Sequence, residues 1–148
     1  MVYLCTHVLE PMLALADVIL GGTLERFPQL RVGAAEAHVQ WVPGWLSLLD
    51  RQFGAATKIY TKDSGEVALK FKPSEYFRRQ CFVAAFADDS MIPEAIAAAP
   101  DSIVVCSDWP HPVSDEYAKD GLRSLERHSH LTPESRRRLL TSNPTRFI

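Results

Sequence analysis

Residues 81–87 (CFVAAFA) and 103–106 (IVVC) are apolar at every position. Neither stretch offers a polar face to water, so each reads as a short strand covered on both sides, the pattern of a parallel sheet. Residues 30–35 (LRVGAA) follow Pro28, are too few for a helix, and make a third strand that ends at Glu36. Helical patterns separate the three. Residues 9–20 are almost wholly apolar and read as a helix buried on most sides, with Gly21-Gly22 as its stop and a further turn over residues 23–27. Trp41, Trp45, Leu48, Leu49 and Phe53 mark an amphipathic helix that accommodates Pro43 in its first turn and is expected to end at Gly54. Residues 55–72 are polar and aperiodic and read as a long connection; 73–79 and 92–99 read as short helices, and 116–128 as a longer one. Thr132 caps a last helix with Pro133 at its first position and Leu139 and Leu140 on its buried face. Helix and strand alternate throughout, which is the order of an α/β protein with a parallel sheet.

The chain of 148 residues is 47% hydrophobic and 23% charged, enough for one core over residues 1–148. Sixteen basic side chains face eighteen acidic ones, so no excess cation is available for phosphates or anionic lipid, and neither nucleic acid nor membrane is an expected partner. The basic run Arg136, Arg137, Arg138 reads as a solvated helix face. Three cysteines without CxxC spacing argue against a disulfide framework and fit a reducing, cytoplasmic setting. Glu10 and Asp17 interrupt the apolar amino-terminal stretch, and nothing approaches the roughly 18 uninterrupted apolar residues of a membrane span.

In parallel α/β sheets chemistry collects just beyond the carboxyl ends of the strands, where side chains from separate strands converge. Those positions here are residues 36–38, Asp88-Asp89 and residues 107–111. Asp108 follows a doubly buried strand, placed to bind a metal ion or take a proton from metal-bound water; Ser-Asp-x-Pro is equally an ordinary strand exit. Glu36 and His38 could form an acid/base pair, since alternation puts both on one side of an extended segment, or His38 could simply pack. His111 is either support for a metal carboxylate or a solvated loop residue. His7, His128 and His130 read as surface residues. Cys81 and Cys106 read as small buried apolar groups, and Cys5 has no activating context. Glycine-rich phosphate loops and a GxSxG elbow are absent from the sequence.

Four segments together resemble a known family: GGTLERFPQLRVGAAEAHVQWVPGWLSLLDRQF, KPSEYFRRQCFVAAFADD, CSDWPHP and TSNPTRFI. They are similar, in order, to the carboxyl-terminal part of the amidohydrolase-related metal-dependent hydrolases, the group that includes aminocarboxymuconate semialdehyde decarboxylase and related aromatic acid decarboxylases. The resemblance implies a (β/α)8 TIM barrel, one divalent metal (zinc or manganese), and hydrolysis or nonoxidative decarboxylation of a small carboxylate-bearing substrate. By the same resemblance Asp108 falls on the aspartate after the last barrel strand, which binds or neighbours the metal. Glu36 falls where relatives carry a catalytic histidine or a glutamate, and His38 replaces the small residue that follows it. Trp41, Pro43, Trp45 and Asn143 match structural positions. The family's HxH pair and its further histidine lie upstream of the matched region.

A closed barrel takes about 200 residues or more, and a zinc site about three or four protein ligands, so this chain is expected to supply the last three strands and one ligand, Asp108. Two expectations follow. In one, the chain is a fragment of a metal-dependent enzyme in which Asp108 is ligand or base and Glu36 and His38 assist proton transfer, the metal not being retained by this chain alone. In the other it is a noncatalytic remnant or interaction module whose open sheet edge is covered by self-association into a homo-oligomer.

Overall fold

A computed structural model describes residues 2, 6–60, 69–108 and 123–147, with the side chains of 56–60 excepted. Its centre is a three-stranded sheet in the order β1 (Val32–Ala34), β2 (Cys81–Phe86), β3 (Ile103–Cys106). Both pairings are parallel, with Val32 opposite Cys81 and Val83 opposite Ile103. Cys81, Val83, Ala84 and Ala85 of the middle strand are all buried, as a strand paired on both edges and covered on both faces requires. The sheet is unclosed among the described residues, with β1 and β3 as its outer strands.

The helices follow the local signals closely. Helix α1 (Leu9–Leu20) runs into Gly21 and Gly22, and α2 (Thr23–Arg26) starts immediately afterwards. Gly22 has φ 74°, a left-handed conformation that glycine adopts without cost, and this reversal returns the chain toward β1. Helix α3 (Val42–Tyr60) packs against both α4 (Pro73–Gln80) and α5 (Ile92–Ala98). The chain then forms β3, a helical turn α6 at residues 123–127, and a final helical stretch. That stretch consists of α7 (Pro133–Arg137), a π-helical turn (Arg138–Ser142) and α8 (Asn143–Phe147).

The core joins α1, α3, α4, α5 and the sheet through Ile19, Val42, Phe77, Val83, Ile92 and Ile103, each fully buried. Polar clamps hold the connections that apolar packing cannot. The buried Gln80 amide donates to the carbonyls of Leu24, Phe27 and Leu30 at 3.1 to 3.3 Å and fixes the approach to β1. Asn143 donates to the carbonyls of Pro100 and Ile103 at 2.8 and 2.7 Å, tying α8 to the start of β3. Asp50, on α3, accepts from the Ser74 amide at 2.9 Å and its hydroxyl at 2.7 Å, so a side chain from another helix satisfies one first-turn amide of α4.

Several expectations are corrected. Gly54 does not end its helix: α3 continues to Tyr60, because a glycine whose added Cβ would meet nothing within 4 Å is merely a weak helix residue, costing about 1 kcal/mol against alanine. Helix α1 buries one face, through Leu15 and Ile19, while Leu13 is 72% exposed, so its apolar composition does not make it buried on most sides. Leu139 is fully buried but Leu140 is 46% exposed. One leucine per turn faces the core there, and the π-helical turn does not bring its neighbour in. Thr132 caps α7 as expected, accepting from the Ser135 amide at 3.1 Å. Most of the expected helix at 116–128, together with Cys5, Trp109 and His111, lies outside the described residues. No helix among the described residues is long and apolar enough to cross a membrane.

Candidate functional site

The carboxyl ends of β1, β2 and β3 carry a set of unusual backbone conformations. Glu36 (φ 52°), His38 (φ 50°) and Asp108 (φ 57°) are the non-glycine residues with positive φ among the described residues. Each left-handed residue costs about 1 to 2 kcal/mol; Asp and His tolerate the conformation better than Glu, whose side chain offers no local compensation. The three positions that sequence reasoning selected are therefore the three where the backbone is strained, and such strain clusters at functional sites.

The same geometry overturns one step of that reasoning. Two left-handed residues flank Ala37, so the segment is not extended and the alternation placing Glu36 beside His38 fails. The partner of His38 is Asp89, beyond the end of β2: His38 Nδ1 lies 2.6 Å from Asp89 Oδ1. Asp89 is only 5% exposed, and its carboxylate also accepts from Gln40 Nε2 at 3.1 Å and the Phe86 amide at 3.2 Å. The His38 ring packs on Phe86, centroids 5.0 Å apart, and on the edge of His7 at 5.5 Å. His7 is half-buried; its Nε2 is 3.3 Å from the Glu36 carbonyl oxygen, so that nitrogen carries the proton of this hydrogen bond. His128 bonds the Ala87 carbonyl at 3.2 Å, and His130 is exposed. Of the three histidines read as surface residues, two are thus engaged in the fold.

Cys106, the last residue of β3, is half-buried rather than an inert core group. Burial raises its thiol pKa, while backbone hydrogen bonds from Glu36 and Asp108 draw it back down. Its thiol donates to the Ala85 carbonyl at 3.5 Å, across to β2. Cys81, at the opposite end of the sheet, is wholly buried, and burial pushes its thiol up to about 12. A cleft of about 420 Å³ opens between α1 and β1, and His7, Glu10, Leu15, Gly33 and Glu36 are among its lining residues.

The donors at this rim do not by themselves fit a divalent metal. Among the described residues no group of three or more His, Cys, Asp or Glu stands ready to hold an ion. Asp89 and His7 escaped sequence reasoning as site residues. The doublet Asp88-Asp89 at a strand end was the available signal for the first, and His7 had none.

Comparison with known proteins agrees with the geometry. No curated protein matches the chain. Among solved structures, 5-carboxyvanillate decarboxylase of Sphingomonas paucimobilis shares 26% identity over 89% of this chain and 37% of its own, with a TM-score of 0.65. The 5-carboxyvanillate decarboxylase of Novosphingobium aromaticivorans, complexed with manganese and 4-hydroxy-3-methoxy-5-nitrobenzoic acid, reaches a TM-score of 0.75 at 18% identity, over 95% of this chain and 39% of that one. A dihydroxybenzoic acid decarboxylase of Polaromonas sp. JS666, with manganese and 2-nitroresorcinol, gives 0.61 at 16% identity, covering 95% and 40%. The present chain thus spans well under half the length of these relatives, and its unclosed parallel sheet matches the carboxyl-terminal portion of a (β/α)8 barrel. The amidohydrolase family model matches residues 2–148, and the chain belongs to the amidohydrolase family.

Proposed function

We propose that residues 1–148 form part of an amidohydrolase-family domain that is noncatalytic by itself, because its metal site is incomplete. The donor set carries this reading: among the described residues no group of three or more His, Cys, Asp or Glu is placed to hold zinc or manganese, and Asp108 alone is one ligand of the roughly three or four needed. The outer edges of β1 and β3, unpaired with any further strand among the described residues, suit a partner, either further strands of the same barrel or a second copy in a homo-oligomer. Metal content decides this. The purified 148-residue chain, dialysed after loading with manganese or zinc, is expected to retain well below one ion per chain and to release no CO2 from 5-carboxyvanillate or dihydroxybenzoic acid. Stoichiometric retention after exhaustive dialysis refutes the reading.

Catalysis once the remaining donors are supplied is a second reading, and the strain at Glu36, His38 and Asp108 favours it, since a remnant has no reason to keep such backbone. In that completed site Asp108 is the metal ligand or base, and Glu36 and His38 serve proton transfer. The substrate is a small carboxylate-bearing molecule of the phenolic aromatic class, in keeping with the decarboxylases named above, and the closer kinship is to the aminocarboxymuconate semialdehyde decarboxylase group. Joining the chain to strands that bring further histidines is expected to restore metal retention; a completed barrel that still fails to hold metal counts against this reading.

A further inference from the structure

We infer that Asp89 is a positioning residue for His38: it holds the imidazole in the Nδ1–H tautomer and leaves Nε2 as the basic nitrogen at the strand ends. The pair bridges two strand exits and 51 residues of sequence, so the fold alone creates it. Three donors converge on one buried carboxylate: His38 Nδ1, Gln40 Nε2 and the Phe86 amide. An ionised carboxylate only accepts, so a 2.6 Å contact requires the proton to sit on Nδ1. Gln40 is itself oriented, because its Oε1 accepts the Val39 amide at 3.1 Å and its amide group is thereby turned toward Asp89. The rings of Phe86 and His7 confine the imidazole plane, and the left-handed backbone at His38 sets where the ring starts.

In a neutral imidazole a proton on Nδ1 makes Nε2 the acceptor. No described residue bonds Nε2, the His38 side chain is 36% exposed, and no buried side-chain nitrogen or oxygen among the described residues lacks a partner, so Nε2 is open to solvent. Given a hydroxyl-bearing substrate at the rim, Nε2 takes the hydroxyl proton and the electron pair of the O–H bond stays on oxygen. The Nδ1 proton remains between His38 and Asp89, and the carboxylate faces the positive charge of the imidazolium. Glu36 is not the partner in this arrangement. The proton-acceptor role rests on the reading of the rim as functional, whereas the tautomer does not, so the two can fail separately.

The test is the tautomer of His38, read by long-range 1H–15N NMR of the 15N-histidine-labelled 148-residue chain at a pH where the ring is neutral. The expected spectrum has a protonated Nδ1, with a strongly downfield proton, and an unprotonated Nε2. Asp89→Asn is expected to abolish the downfield proton and redistribute the two nitrogens, and Asp89→Glu to restore the Nδ1–H form at least in part. Glu36→Gln leaves the signals unchanged. A wild-type His38 protonated on Nε2 overturns the proposal whatever the variants do. So does an unchanged tautomer in Asp89→Asn whose backbone fingerprint shows it folded. If Asp89→Asn fails to fold, the wild-type spectrum still decides.

Discussion

The body of this molecule and its rim are built on opposite terms. In the body, β2, α4 and α5 bring Val83, Phe77 and Ile92 to complete burial, with regular backbone and polar groups used only as clamps. At the rim, a few residues further along the same strands, three non-glycine residues sit in left-handed conformations around a buried carboxylate and a half-buried thiol. The contrast shows that the stability of this fold is generated at one level of the sheet and spent at another, which is the division of labour expected at the carboxyl face of a parallel α/β sheet.

The contrast breaks most sharply in the body. Phe77 packs against Trp45, centroids 6.0 Å apart, with no exposure at all. Phe77→Ala is expected to destabilise the fold by about 3 to 5 kcal/mol in a urea titration, since the lost side chain leaves a cavity that β2 and α3 cannot fill. A loss below about 1 kcal/mol would mean that the core is looser than its burial indicates. Next comes Asn143→Ala, expected to cost about 2 to 3 kcal/mol by the same measurement, because two carbonyls at the start of β3 lose their donor.

The rim should respond with the opposite sign. Glu36→Gly removes an exposed side chain and releases the left-handed backbone, so a gain of about 1 kcal/mol is expected. A loss there would show that the Glu36 side chain holds the turn together. The smallest effect belongs to an exposed cluster remote from both regions. Hydrogen bonds from Arg137 and then Arg138 lower the Glu134 carboxyl from 4.5 to about 2. A carboxyl depressed in the folded state stabilises fully above its unfolded value and loses that contribution as pH falls from 4.5 toward about 2. Glu134→Gln is therefore expected to flatten the acid limb of a pH–stability curve slightly, and by less in high salt, because the pairs are exposed. An identical acid limb would show that these ion pairs contribute nothing.

Much of the fold is legible locally, and the reasons are visible in single residues. Apolar runs with no polar face mark β2 and β3, and Pro73, Pro133 and Thr132 mark where helices begin, because these signals depend on one residue and its immediate neighbours. Gly54 shows the limit of that logic: the local stop signal is weak, and the packing of α3 on α4 and α5 carries the helix through it. The candidate site was legible as three positions but not as a pairing. Glu36, His38 and Asp108 are candidates because they follow strands, whereas the partner of His38 lies 51 residues away and depends on the register of β1 against β2.

The sequence by itself determined the alternation of helix and strand, the parallel sheet, the family, and the strand ends as the candidate positions. These follow from periodicity, from turn chemistry and from matched segments, all of which are properties of neighbouring residues. Only the tertiary structure decided that His38 answers to Asp89 rather than Glu36, that His7 joins it, and that the Cys106 thiol bonds the Ala85 carbonyl of β2. Contacts of that kind join residues far apart in the chain, and their geometry exists only once the strands have paired.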